Sequence, residues 1–226
     1  MLFQIQTAFA LIIRLSKLFR AIYFLVLISS ILTSCTTPIE DKKVAILAFD
    51  DFPHDKTALA VETLQNFYHC QIELLPTSDL PKSAFIDVKS PRYRADSLLH
   101  FLKSKCPKDC DHIVGLTAHD ISFTKRINGC TKKPKWKYED WGIMGLAHCP
   151  GTSCIVSDYR IGRSVNSAIA NDRFKKVLAH ELGHCLGLPH CRDKKCLIRD
   201  AAESVKTIDN VAFDLCPACK KQIRLD

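Results

Sequence analysis

The eleven residues His180-Glu181-Leu182-Gly183-His184-Cys185-Leu186-Gly187-Leu188-Pro189-His190 constrain this chain more tightly than any property of its whole length. On a helix, side chains four residues apart stand one above the other on a single face, so His180 and His184 can aim two imidazoles at one metal ion. Gly187 permits a left-handed backbone and Pro189 cannot continue the helical ladder, which predicts a helix stop soon after the second histidine. The chain can then swing back and deliver His190 as a third ligand. Three imidazoles suit tetrahedral zinc and leave its fourth position to water. Glu181 stands beside them as a general base. Together these residue types predict peptide-bond hydrolysis, with a metal to polarise the carbonyl and acidify water and a carboxylate to carry the proton to the leaving amine.

The N-terminus reads as an address rather than as fold. Arg14, Lys17 and Arg20 precede an apolar stretch from Ala21 to Leu32, which ends in Leu32-Thr33-Ser34-Cys35 and then turns polar. A positive region, a short apolar region and small residues before a cut make a secretory signal, and the apolar run is short for a membrane span. Leu-Thr-Ser-Cys resembles a bacterial lipobox, in which the cysteine becomes the acylated first residue. The expected organisation is a signal peptide over 1–34, a lipid-anchored tether over 35–43 with Cys35 as lipidation site, and one catalytic domain over 44–226. The expected location is extracytoplasmic, on a bacterial membrane.

Between tether and motif, Val44 to Phe49 reads as a buried strand, Lys56 to Tyr68 as a helix, Gln71 to Leu75 as a strand, Arg92 to Ser104 as a helix and His112 to Thr117 as a strand. That alternation predicts parallel strands joined by right-handed crossovers. Asp120 to Asp140 lacks periodicity and reads as a loop. Gly142 to His148 and Ser153 to Ser157 read as two strands joined by a turn at Pro150-Gly151, and Ser167 to Leu186 as the long helix that carries the motif.

The signature His-Glu-x-x-His-x-x-Gly-x-x-His is that of the metzincins. Cys191 follows His190 directly, then come Cys196, Ile198 and Cys216-Pro-Ala-Cys219. At these spacings the chain resembles the archaemetzincin family of metzincin-clan zinc metallopeptidases. The resemblance implies an α/β (α+β) zincin fold in two subdomains: a mixed, mostly parallel sheet with a backing helix and an active-site helix, and a small C-terminal lobe around a second, structural zinc. That zinc would be held by Cys191, Cys196, Cys216 and Cys219. Spacing alone also suits a four-cysteine site, with two disulfides as the alternative. One position departs from the pattern, since Ile198 stands where metzincins carry the methionine of the Met-turn. The resemblance also makes the stretch from Gly142 to His148 the upper rim of a substrate cleft, with an extended peptide adding to its edge.

Twelve cysteines are many for 226 residues. With Cys35, the four of the second site and Cys185 (a buried apolar filler) set aside, Cys70, Cys106, Cys110, Cys130, Cys149 and Cys154 remain, an even set that allows three disulfides in fifteen pairings. Removing Arg14, Lys17 and Arg20 from the 32 basic residues leaves 29 against 24 acidic, a surplus of five spread too thinly to predict a nucleic-acid partner. Lys132, Lys133, Lys135 and Lys137 read as a solvated loop. The expected partners are a peptide or protein substrate and the membrane. A catalytically inactive zinc-binding lipoprotein serving as a scaffold is the alternative function.

Overall fold

The computed structural model describes residues 39–49, 52–200 and 204–225. The expected signal peptide, the lipidation site Cys35 and the start of the tether lie outside the described residues. Pro38–Asp226 forms one compact unit.

Its centre is a five-stranded sheet in the order β10-β11-β5-β1-β2. Here β1 is Lys43–Ala48, β2 Gln71–Leu74, β5 His112–Thr117, β10 Gly145–Ala147 and β11 Ser153–Ser157. The pairs β2-β1, β1-β5 and β5-β11 are parallel, and β10 alone runs antiparallel, on the edge. Successive side chains of a strand point to opposite faces, and β1 obeys that period. Val44, Ile46 and Ala48 belong to one core, while Ala45, Leu47 and Phe49 belong to the other. Apolar side chains on both faces demand cover on both. Helix α1 (His54–Tyr68) and the long helix α4 (Ser167–Cys185) join the first core through Leu64, Tyr68, Phe174 and Leu178. Helix α2 (Ala95–Lys105) covers the other face with Leu98, Leu99 and Leu102. Each such side chain removed from water contributes roughly 1.5–3 kcal/mol.

Two stretches differ from expectation. The chain around Arg92 is not yet helical: Pro91–Arg94 forms β4, and α2 begins at Ala95. The supposed loop over 120–140 contains β6 (Ile121–Phe123), a hairpin of β7 (Arg126–Ile127) and β8 (Cys130–Thr131), and the single turn α3 (Lys135–Tyr138). With β3 (Phe85–Asp87) and β9 (Trp141–Ile143), β4 and β6 build a second sheet in the order β3-β4-β6-β9. Strands of three or four residues are too short to show a period, so partners distant in sequence define them.

The same pairing divides the strand expected from Gly142 to His148. Ile143 pairs with Ile121 in the second sheet, whereas Gly145 pairs with Val156 in the first, and Met144 is the residue at which the chain changes sheets. His148 lies beyond β10 and is exposed.

A short C-terminal part, with α5 (Val205–Asn210) and α6 (Pro217–Ile223), packs beneath α4. Arg173 on α4 holds the Asp209 carboxylate through two bonds of 2.7 and 2.8 Å and donates a third to the Ile161 carbonyl. Among the described residues no helix is long and apolar enough to cross a membrane.

Candidate active site

Helix α4 begins where Asn166 caps it, its side chain accepting from the Ile169 amide. It ends in two backbone bonds, Gly187 N–H to the His184 carbonyl and Leu188 N–H to the Gly183 carbonyl, with Gly187 at φ +94°. This is the left-handed stop that the motif predicts. Gln222 on α6 donates to the Gly187 carbonyl at 2.8 Å and fastens that stop to the C-terminal part. The turn brings the His190 ring to 4.7 Å from that of His184 and 5.6 Å from that of His180, centroid to centroid.

The ring nitrogens are held by backbone carbonyls. Nδ1 of His180 donates to Leu197 O at 2.8 Å, and Nδ1 of His184 to Leu188 O at 2.7 Å. A carbonyl can only accept, so each Nδ1 carries the proton and each Nε2 presents a lone pair. The two Nε2 atoms stand 3.0 Å apart. Burial, and next the neighbouring His184, hold the His180 imidazole down to about 4, and burial also lowers His184, so both rings are neutral near pH 7. Two lone pairs facing each other at that distance repel unless a cation lies between them. Zinc bonded at about 2.0–2.1 Å in a tetrahedron separates its nitrogens by roughly 3.3 Å, close to what is seen. Ring nitrogens of His180, His184 and His190 all fall within 4.8 Å of one another, a donor set that fits zinc.

Glu181 is buried beside them, and desolvation pushes its carboxyl up to about 8, a shift that the positive charge of a zinc ion held by the histidines would reverse in favour of the carboxylate. Its neighbour across the cleft is the edge strand. A Cβ built on Gly145 would fall 2.6 Å from both Glu181 Cγ and Oε1. Gly145 is therefore a site residue that the motif does not reveal, because its role is the absence of a side chain. The cleft, about 190 Å³, runs between β10 above and Val177, Leu197, Ile208 and Val211 below. Lys176 and Phe123 also line it, and the Asp200 carboxylate lies 4.0 Å from His190 Nε2. None of these carries a sequence signal of its own.

Ile198, at the Met-turn position, is fully buried beneath α4. A Cβ on Gly183 would meet Ile198 Cδ1 at 2.5 Å and the Tyr68 hydroxyl at 2.9 Å, so Gly183 lets both approach the helix backbone. Tyr68 uses that approach to donate to the Ala179 carbonyl at 2.7 Å.

The four cysteines of the expected second site also converge. Sγ of Cys191 lies 3.7 Å from that of Cys216, and Sγ of Cys196 lies 3.8 Å from that of Cys219. Sulfurs about 2.3 Å from a tetrahedral zinc stand about 3.8 Å apart, whereas a disulfide needs about 2.05 Å. Amides of Asp193 and Cys216 donate to Cys191 Sγ and Cys196 Sγ at 3.4 Å, contacts that would stabilise thiolates on a metal. The donor set fits zinc and not two disulfides.

None of the eleven described cysteines is in a disulfide, so the three bridges that the sequence allows are not formed. Three of the six sulfurs are engaged elsewhere: Cys70 Sγ points to Leu64 O, Cys106 Sγ to Cys110 O and Cys110 Sγ to Glu73. Cys154 and Cys185 are buried neighbours in the first core, Cys185 as the apolar filler expected. A third group of ligand-type residues, Glu73, Asp109 and Cys110, is already satisfied, because Lys43 Nζ sits 2.5 Å from each carboxylate.

Residues 74–225, two thirds of the chain, match the sequence model of peptidase family M54. The archaemetzincin of Halobacterium salinarum is 27% identical over 189 residues, covering 80% of this chain and 99% of that protein. The chain belongs to the archaemetzincin family. It is accordingly a zinc-dependent peptidase, a hydrolase whose substrates are peptides or proteins. The archaemetzincin of Methanopyrus kandleri is 28% identical over 145 residues, covering 64% of this chain and 73% of its own. Solved archaemetzincins share the fold: that of M. kandleri at a TM-score of 0.64 and 24% identity (82% of this chain, 94% of that one), and that of Archaeoglobus fulgidus, complexed with malonate, at 0.63 and 22% (80% and 99%).

Proposed function

We propose that this archaemetzincin binds two zinc ions, one hydrolytic on His180, His184 and His190 and one structural on Cys191, Cys196, Cys216 and Cys219, and that Glu181 is its general base. The observation that carries the reading is the pair of Nε2 atoms 3.0 Å apart, each on a ring whose Nδ1 faces a backbone carbonyl, with the buried Glu181 side chain alongside. Zinc bound there supplies a Lewis acid for the peptide carbonyl and makes water acidic enough to attack near neutral pH. The chain's own residues do the rest. Strand β10 pairs with β11 on one side only, and its other edge lines the cleft, so its main-chain groups can hold an extended peptide across the histidines. Glu181 takes the proton from the attacking water and delivers it to the leaving amine nitrogen. The Leu197 and Leu188 carbonyls keep two imidazoles in one tautomer and orientation.

The lipobox-like Leu32-Thr33-Ser34-Cys35 supports a mature protein acylated at Cys35 and displayed outside the cytoplasm, which membrane fractionation of a Cys35→Ser form tests.

The test of mechanism is digestion of a peptide library by the zinc-loaded protein and by Glu181→Ala, with zinc counted in both. Loss of a general base lowers kcat/KM by roughly 10²–10⁴-fold while both forms keep two zincs per chain. Equal, negligible cleavage by both forms at full zinc occupancy would instead assign the chain the role of a zinc-holding scaffold.

A further inference from the structure

The two most exposed large apolar side chains of the described surface, Val88 at 73% and Trp136 at 72%, belong to segments that are stitched together. Lys89 Nζ donates to the carbonyls of Lys137 and Asp140 at 3.1 and 3.3 Å, which joins the β3-β4 turn to the segment over 125–140. A third exposed side chain, Ile127 at 54%, stands near the tip of the β7-β8 hairpin. The lysines around them are held by rings rather than scattered. Lys132 Nζ lies 4.6 Å over the ring of Tyr138, Lys137 Nζ lies over Tyr138 and Trp141, and Lys125 Nζ lies 5.9 Å over Trp141. Across 87–89 and 125–140 there are seven basic residues and three acidic ones. Of the acids, Asp140 is buried opposite Arg92, Glu139 lies 3.8 Å from Lys135, and Asp87 is exposed. The sequence predicts a solvated lysine loop here; the structure gives a braced basic surface with apolar tips.

From this we infer that the surface formed by Val88, Lys89, Ile127, Lys133, Lys135 and Trp136 docks on an anionic lipid bilayer. Lysines at the headgroup plane gain from its negative potential, and an indole with neighbouring aliphatic tips inserts at headgroup depth. Charge alone would suit any polyanion. The aliphatic Val88 and Ile127 offer nothing to a phosphate backbone and gain where they leave water, as they do at the hydrocarbon boundary of a bilayer. Such docking would fix the orientation of the body on a membrane whether or not Cys35 is acylated.

The test uses the zinc-loaded body beginning at Pro38, which holds every described element and both cores, so that neither leader nor anchor contributes. It is sedimented with vesicles of phosphatidylcholine alone and with vesicles one-third phosphatidylglycerol. The expected result is at least tenfold enrichment on the anionic vesicles, a loss of roughly fivefold for each of Lys133→Gln and Lys135→Gln, and a further loss for Trp136→Ser and Val88→Ser. Hydrolysis of a short soluble peptide and the melting temperature should not change in any of these variants. Three results would overturn the inference: no preference for anionic vesicles, binding that Trp136→Ser and Val88→Ser leave intact, or retention on double-stranded DNA at the same salt as strong as on vesicles.

Discussion

The histidine cluster and the cysteine cluster share one stretch of chain and close their coordination in opposite ways. His190 and Cys191 are consecutive, and Cys196 precedes Leu197, whose carbonyl orients His180. Four sulfurs from two segments converge in the second cluster and could supply all four ligands of a tetrahedral ion, with backbone amides aimed at two of them. Three imidazoles flank the first, and its remaining side opens on a cleft lined by Glu181 and a free strand edge. A zinc enclosed by the four sulfurs would serve only to hold; one on the three imidazoles would keep a side open to react. Their adjacency means that the first is built partly by the second.

Breaking the closed centre should do the most damage. Cys216→Ser is expected to remove one zinc per chain and, because Cys191 and Cys196 flank His190 and Leu197, to weaken the remaining zinc at least tenfold, as metal titration will show. If the lost site contributes roughly 3 kcal/mol, melting falls by about 6–12 °C. Retention of two zincs in this variant would uncouple the centres.

Gly145→Ala tests the open side alone. The new Cβ lands 2.6 Å from Glu181 Oε1, so the carboxylate or the strand must move, and kcat/KM should fall by roughly 10–100-fold with both zincs retained. A variant with full activity would show that the edge strand does not constrain the base. The smallest effect is expected at the seam between the centres. Ile198→Met restores the methionine of the Met-turn, swaps one apolar group for another of similar volume, and should alter stability by under about 1.5 kcal/mol in a denaturant titration, with activity unchanged. A large gain in kcat would give the methionine a role beyond packing.

The parts legible in the sequence are those fixed by local rules. Four-residue spacing gives the two helical imidazoles, Gly187 gives the stop, and apolar runs give the strands His112–Thr117 and Ser153–Ser157 at their observed bounds. The cysteine spacing was readable because each pair is short and the chemistry accepts few residue types. What escaped depends on partners far away in the chain. The change of sheet at Met144 is set by Ile121 and Val156, and the approach of Gly145 to Glu181 exists only once the edge strand is laid over α4. The basic surface escaped for a related reason: its rings and lysines are near in sequence, but the tie from Lys89 to the Lys137 carbonyl is not.

Zinc X-ray absorption on the fully loaded protein addresses the two-centre account most directly. It should report two zincs per chain with mixed scatterers, sulfur at about 2.3 Å and nitrogen or oxygen at about 2.0 Å in equal number, with imidazole outer-shell features. A spectrum with sulfur alone, or with a single zinc and no sulfur at all, would contradict it.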